Sequence, residues 1–320
     1  MVLDLPHVPE PLLADPRLPA SDPFTYQQAV DRGVSRHVLS RMTREGSVRR
    51  VLRGVFVDAT VPDTLEVRAR ALSLAVPESA VVTDRTAAWL RGVPALAPGD
   101  HLVLPQVSVV RPRGETRVRH AAVRGGIRGL RPDDVEVLNG VRVTTALRTA
   151  LDLGRLVRRD QAIGALDALL RTGEFSRSQL LGSLGRFKGY RGVRQLRELA
   201  PLADPRAESP GESVLRLRWL DVGLPTPDLQ IALQDVRGRL RYRGDLGLAR
   251  FRYLAEYDGE DFHSSAAQRA HDQRRRDWLR TRGWVVVVIR GEDIYGPAPR
   301  VHVLLREGWA RARYRLPRTG

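Results

Sequence analysis

LRYRGDLGLARFRYLAEYD, residues 240–258, decides how the C-terminal third of this chain is read. Two runs, Leu240 to Ala249 and Phe251 to Asp258, carry the aromatic and apolar residues of strands. A tight turn at Arg250-Phe251 would pair them antiparallel, with Asp245 directly opposite Glu256 on one sheet face. Asp258 points to the same face, because strand side chains alternate with a period of two. A different loop length would shift this pairing by a residue and still leave the acids close. Three converging carboxylates repel one another unless a cation lies among them. Oxygen-only ligation suits Mg2+ or Mn2+, and such a cation can activate water and stabilise charge on a phosphate in transfer.

Working outward, Glu212 to Val222 reads as an amphipathic helix stopped by Gly223, and Leu229 to Leu233 as a further strand before the turn Asp235-Val-Arg-Gly238. After the acids, Ser265 to Arg282 has helical spacing, with Arg274, Arg275, Arg276, Arg280 and Arg282 along it. Trp284 to Ile289 has the look of a fully buried central strand, and Val301 to Arg311 of a closing helix. The order is αβββαβ. In front of it, Leu202 to Gly211 contains Pro205, Pro210 and Gly211, which interrupt any helix and mark a domain boundary.

At the other end, residues 1–22 are an irregular, proline-rich tail. Residues 23–61 follow the pattern of a winged helix-turn-helix: helix from Thr25, Gly33, a second helix capped by Ser35 and ended by Gly46, then a hairpin turning at Arg53-Gly54. Arg36, His37, Ser40, Arg41 and Arg44 on the second helix, with Arg49, Arg50 and Arg53 on the wing, are the candidate DNA contacts. A winged helix used for protein contact, or a plain solvated basic face, fits the same residues. Residues 62–205 read as a mixed α/β middle region without a catalytic constellation, and His101 and His120 as surface or structural histidines. The fourth segment, residues 206–313, holds the acidic constellation. The fold class expected is thus a multidomain α/β (α+β) chain.

Over 320 residues the net charge is +16, which favours a polyanionic partner such as DNA. Lys188 is the sole lysine, so the basic surplus is almost wholly arginine. The absence of cysteine excludes disulfides, Cys-ligated metals and thiol nucleophiles, and suits a reducing cytoplasm. The N-terminus lacks the basic start of a signal peptide, and the longest wholly apolar run, Val285 to Ile289, is too short to span a membrane.

Glu-Ser-Val-Leu-Arg at 212–216, Arg-Gly-Asp-Leu-Gly-Leu-Ala at 243–249 and Ala-Glu-Tyr-Asp-Gly at 255–259, with Arg275, Leu279, Gly283 and Trp284 downstream, resemble a known nuclease family. It is that of the very-short-patch-repair-like endonucleases, domain-of-unknown-function family number 559, within the PD-(D/E)XK superfamily. Residues 23–61 resemble the AbiEi-type antitoxin winged helix that often precedes this domain in actinobacterial proteins. The first resemblance implies a restriction-endonuclease-like fold in which Asp245 and Glu256 hold Mg2+ or Mn2+ and Glu212 helps position metal or water. Asp258 departs from the family, standing where the superfamily usually has lysine. His263 is then the candidate for proton transfer, since histidine titrates near neutrality. Arg275 or Arg274 would pair with the acids or grip the scissile phosphate. Two functions follow from these resemblances: a metal-dependent DNA endonuclease, or a non-enzymatic regulator akin to type IV antitoxins that keeps a degenerate nuclease fold. DNA is the partner of either, with a cognate toxin or a second copy of the chain beside it.

Overall fold

The computed structural model describes residues 15–93, 106–119, 123–259 and 266–314, and the chain divides into two compact units between Asp152 and Leu153. In the first unit, strand β1 (Phe24–Thr25) runs straight into helix α1 (Tyr26–Asp31), where Thr25 and Gln28 form a capping box. Helix α2 (Arg36–Glu45) begins at Ser35, whose hydroxyl accepts from the Val38 N–H. It ends at Gly46, whose φ of 83° is the left-handed stop that glycine provides. Strands β2 (Val48–Leu52) and β3 (Val55–Asp58) make an antiparallel hairpin, and β3 also pairs with β1, giving the order β1-β3-β2. Phe24, Ala29, Leu39, Met42, Val48 and Phe56 fill the small core beneath α2.

Next come α3 (Leu65–Ala75), β4 (Val81–Val82), α4 (Asp84–Leu90), β5 (Val107–Arg111), β6 (Val123–Ile127), β7 (Val135–Leu138) and β8 (Val141–Thr144). The five strands form one sheet in the order β6-β5-β4-β8-β7. Three of them escape the sequence reading: β4 is two residues long, β6 contains Gly125 and Gly126, and β7 follows a proline-led turn. The strand expected at 101–104, His101 itself and His120 lie outside the described residues. Leu52, Val55 and Val57 of the hairpin pack in one cluster with Leu72, Val82, Leu90, Val109 and Val143, so the hairpin and the sheet share a core. Helix α5 (Ala146–Leu156) crosses the division between the units. Its Arg148, buried, donates to Asp134 at 2.7 Å and Asp152 at 2.8 Å, while Arg128 bridges Asp152 and Asp84.

In the second unit, α6 (Arg159–Arg171), α7 (Arg177–Gly182) and α8 (Val193–Leu199) precede α9 (Pro210–Asp221). Pro210 does not interrupt a helix, as its composition suggested, but opens one. In the first turn its missing N–H costs nothing, and Ser209 caps the helix by accepting from Glu212 N–H. Gly211 is needed because a Cβ there would stand 2.1 Å from the Tyr257 ring. Helices α6 and α9 are joined by the buried pair Arg216–Asp167 at 2.7 Å, by Arg218–Asp160 at 2.5 Å and by Arg159–Asp221 at 2.7 Å. The segment read as a linker, 202–211, therefore runs within this unit, between helices that are bonded to one another.

The rest of the unit is β9 (Asp228–Gln234), β10 (Leu240–Leu248), β11 (Tyr253–Asp258), α10 (Ala266–Thr281), β12 (Val285–Arg290), α11 (Gly291–Tyr295) and α12 (Val301–Tyr314). The sheet order is β12-β11-β10-β9, with only β11 and β12 parallel. The turn between β10 and β11 is a single 3-10 turn, Ala249–Phe251, followed by Arg252 at φ 48°, not the two-residue turn expected. It still pairs Leu248 with Tyr253 and Leu246 with Ala255, the register that aims Asp245 at Glu256. One expectation is overturned: β12 is an edge strand, not a central one. Its valines are explained by cover on both faces. Leu254 and Val286 pack with Trp278 and Leu279 of α10, while a Cβ on Gly308 of α12 would meet Val287 and Tyr253. An edge strand with two covered faces reads like a central one.

Replacing Arg216 by Met leaves Asp167 fully buried without its counter-charge. The second unit is expected to lose about 3–5 kcal/mol, as removal of one partner of a buried pair does. A urea melt followed by tryptophan fluorescence measures it, and adding Asp167→Leu should restore much of the loss.

Candidate functional site

Two places in the fold gather the side chains that sequence marks for chemistry. The first is α2 with its hairpin. Arg36, His37, Ser40, Arg41 and Arg44 are all exposed, while Leu39 and Met42 turn into the core, so the polar residues form one outward face. Arg36 lies over the Tyr26 ring at 5.7 Å, which holds its guanidinium at the start of the helix. On the hairpin, Arg50 is exposed and stacked over Phe56 at 5.4 Å, and Arg53 is exposed beside Gly54 at the tip. Arg49 differs: it is half-buried and donates to the Val61 carbonyl at 3.0 Å, tying down the chain after β3. Tyr26, which orients Arg36, was not visible as part of this face from sequence, because the stacking crosses from α1 to α2.

The second place is the acid cluster on β10 and β11. Asp245 accepts the Tyr257 N–H at 2.8 Å, so its carboxylate takes over the strand pairing just beyond Leu246 and Ala255. Glu256 is buried and receives the Arg275 guanidinium at 2.6 Å. The same Arg275 nitrogen donates to the Arg243 carbonyl at 2.7 Å, and the guanidinium lies over the Tyr242 ring at 5.8 Å. Asp245, Glu256, Asp258, Arg275 and Arg276 line a common cavity of about 140 Å³. Asp258 is exposed at its rim and sits 3.4 Å from Arg290.

Glu212 approaches from the first turn of α9 and accepts from the Glu208 N–H at 2.9 Å and the Gln230 amide at 2.8 Å. Gln230 has φ 54°, a strained conformation for a residue with a Cβ. It sits between the pairs Leu229–Leu246 and Ile231–Gly244, and the twist there turns its amide onto Glu212. Nothing in Asp228-Leu-Gln-Ile announces this, since the run alternates like any half-buried strand. His263 lies outside the described residues. Arg274 is exposed on α10, and Arg275 alone of that pair lines the cavity.

Electrostatically the cavity is poised between burial and neutralisation. Burial is the largest influence on Asp245 and pushes its carboxyl up to about 6; the Tyr257 N–H and Arg275 pull it down, and Glu212 and Glu208 push it up. Oxygen donors of this kind suit Mg2+ or Mn2+. Among the described residues, however, no three His, Cys, Asp or Glu side chains are grouped so as to hold a metal ion. Glu256 is already bonded to a guanidinium, and Glu212 is turned to Gln230. The described donors do not by themselves form a divalent-cation site. Among the described residues, no helix is long and apolar enough to cross a membrane.

A carboxyl whose value rises from 3.8 in the unfolded chain to about 6 in the folded one favours the fold when protonated. That stability is present below pH 4 and is lost as pH climbs through about 6. Asp245→Asn is therefore expected to raise stability at pH 8 by about 3 kcal/mol in metal-free buffer and to change little at pH 4. Thermal melts of both proteins across this range check it.

Residues 20–57 match the family described as transcriptional regulator, AbiEi antitoxin, and residues 79–202 match the AbiEi antitoxin C-terminal domain. Two Mycobacterium tuberculosis proteins are similar over most of the chain: the uncharacterized protein Rv2248 of strain ATCC 25618 / H37Rv and the uncharacterized protein MT2308 of strain CDC 1551 / Oshkosh. Each is 32% identical over 281 residues, which is 88% of this chain and 99% of the relative.

Proposed function

This chain belongs to one family with the mycobacterial proteins Rv2248 and MT2308 and carries AbiEi antitoxin-like regions, and on that premise we propose that it is a DNA-binding transcriptional regulator of the antitoxin kind. The observation that carries the reading is the outward face of α2. Arg36, His37, Ser40, Arg41 and Arg44 share it, and the region that contains it matches a regulator family. In a winged helix the second helix enters the major groove, where arginine forks read guanine edges or grip phosphate, and the wing reaches the flanking backbone. Arg50 and Arg53, exposed on the hairpin, would take the latter task, while Arg49, bonded to the Val61 carbonyl, would hold the wing in position. A cognate toxin is the second partner that an antitoxin role implies.

The acid cluster supports a second, subordinate reading of residues 206–313. The succession α9-β9-β10-β11-α10-β12, with Asp245 and Glu256 on adjacent strands, supports reading it as a restriction-endonuclease-like domain. On that reading Arg275, bonded to Glu256, would compete with a cation for that carboxylate, and Asp258 would stand in the place of the superfamily's lysine. The regulator reading takes this domain as a scaffold in which Arg275 neutralises Glu256 internally. The endonuclease reading requires Arg275 to give up Glu256 to Mg2+ or Mn2+.

Reversing charge at Arg41 and Arg44 together is expected to weaken binding to the DNA upstream of the chain's own coding region by about 100-fold, and to lessen the salt dependence by about two ions. Fluorescence anisotropy at several salt concentrations reads both, and unchanged affinity would remove α2 from the interface. Supercoiled DNA incubated with Mg2+ or Mn2+ is expected to stay intact. Cleavage that is lost in Asp245→Ala would establish the endonuclease reading instead.

A further inference from the structure

Strand β12 has β11 on one side and, among the described residues, no strand on the other. Val285 donates its N–H to the Arg252 carbonyl at 2.8 Å, on the β11 side. Backbone groups of successive residues in a strand turn to opposite edges, so the N–H and C=O of Val286 and Val288 face the open edge. Arg290 would continue that series, but its N–H is given to the Asp293 carboxylate at 2.9 Å, which ends the open stretch. Along the edge lies a cavity of about 360 Å³ lined by Trp284, Val286 and Val288, with Arg276 and Arg280 from α10 and Arg311 from α12. Among the described residues no carboxylate lines it; Asp277, exposed on α10, stands 3.6 Å from Arg280, and Arg276 and Val288 are shared with the neighbouring cavity of Asp245, Glu256 and Asp258.

We propose that this edge is a docking site for an extended, acidic segment of a partner protein, which adds to the sheet beside β12. Open peptide groups supply the main-chain bonds of such an added strand, the valine and tryptophan floor takes alternate apolar side chains, and the arginines take its carboxylates. Charge argues against a second copy of this chain as the occupant, since joining two such edges would crowd six arginines together. A nucleic acid strand would meet the arginines but has no complement for the peptide groups of Val286 and Val288. An apolar open edge that is never covered is also a template for aggregation. The proposal is independent of DNA binding through α2.

The test uses the full chain and a fluorescein-labelled peptide of alternating glutamate and valine. The result expected is saturable binding, weakened at least tenfold by N-methylation of alternate peptide nitrogens and at least tenfold by Arg280→Glu or Arg311→Glu. Both arginines are exposed, and circular dichroism verifies that the variants fold. Slower hydrogen exchange within residues 285–290 on adding the peptide would support strand addition. Absence of binding, or binding indifferent to N-methylation, overturns the proposal. So does a thymidine dodecamer that displaces the peptide and loses affinity in the same two variants, which would make the edge a nucleic-acid groove.

Discussion

The buried carboxylates Asp134, Asp152, Asp167 and Glu256 are each answered by arginine, and these pairs tie the elements that carry them together. A carboxylate cannot be taken out of water unless a counter-charge and hydrogen bonds go with it. Lys188 is the only lysine and it is exposed, so the guanidinium fork does the work, with several donors in one plane. Arg148 and Arg128 gather Asp84, Asp134 and Asp152 beneath the five-stranded sheet; Arg216 takes Asp167 between α6 and α9; Arg275 takes Glu256 under α10. Apart from Arg148–Asp152, four residues apart within α5, each of these pairs joins separate parts of the chain. These pairs give the fold register and specificity, while apolar burial supplies the larger share of its stability.

The same constraint shapes the acid cluster. Asp245 and Glu256 sit side by side, as they would in a metal site, yet a guanidinium already neutralises Glu256, while Asp245 accepts the Tyr257 N–H and burial pushes its carboxyl up to about 6. Glu212 is held away by an amide whose own residue is twisted into a left-handed conformation. A local cost of that kind persists where the surroundings over-determine it. Here the surroundings are Glu212, fixed by the first turn of α9, and the two ladder pairs that flank Gln230. Glu256 and Glu212 are thus bonded within the fold, while Asp245 remains the acid that burial disfavours as an anion. That is why the conspicuous acids carry less of the functional conclusion than the plain, solvated face of α2.

Several elements were legible in the residues themselves. Ser35 and Gly46 bracket α2, and the exposed and buried residues between them follow helical spacing, so the candidate DNA-binding face could be named before any coordinates. The pairing that aims Asp245 at Glu256 also emerged from strand alternation, and it survived a different turn because the longer 3-10 connection keeps the same register. Other readings failed for identifiable reasons. Pro210 reads as a breaker, although proline in a first helical turn lacks only a donor that would go unused. β4 and β6 are not legible in the sequence, because two residues, or a strand with paired glycines, leave no periodic signal.

Local spacing, capping and alternation are short-range properties, so the sequence alone determined the winged-helix parts, the αβββαβ succession and which acids would be neighbours. Tertiary structure decided what those neighbours touch. That Arg275 folds back from α10 onto Glu256, that Arg216 binds α6 to α9 across the segment read as a linker, and that the valines of β12 line an open edge all depend on contacts between distant parts of the chain. A run of valines records burial on its two faces, but not whether another strand lies alongside. Only the assembled sheet has an edge.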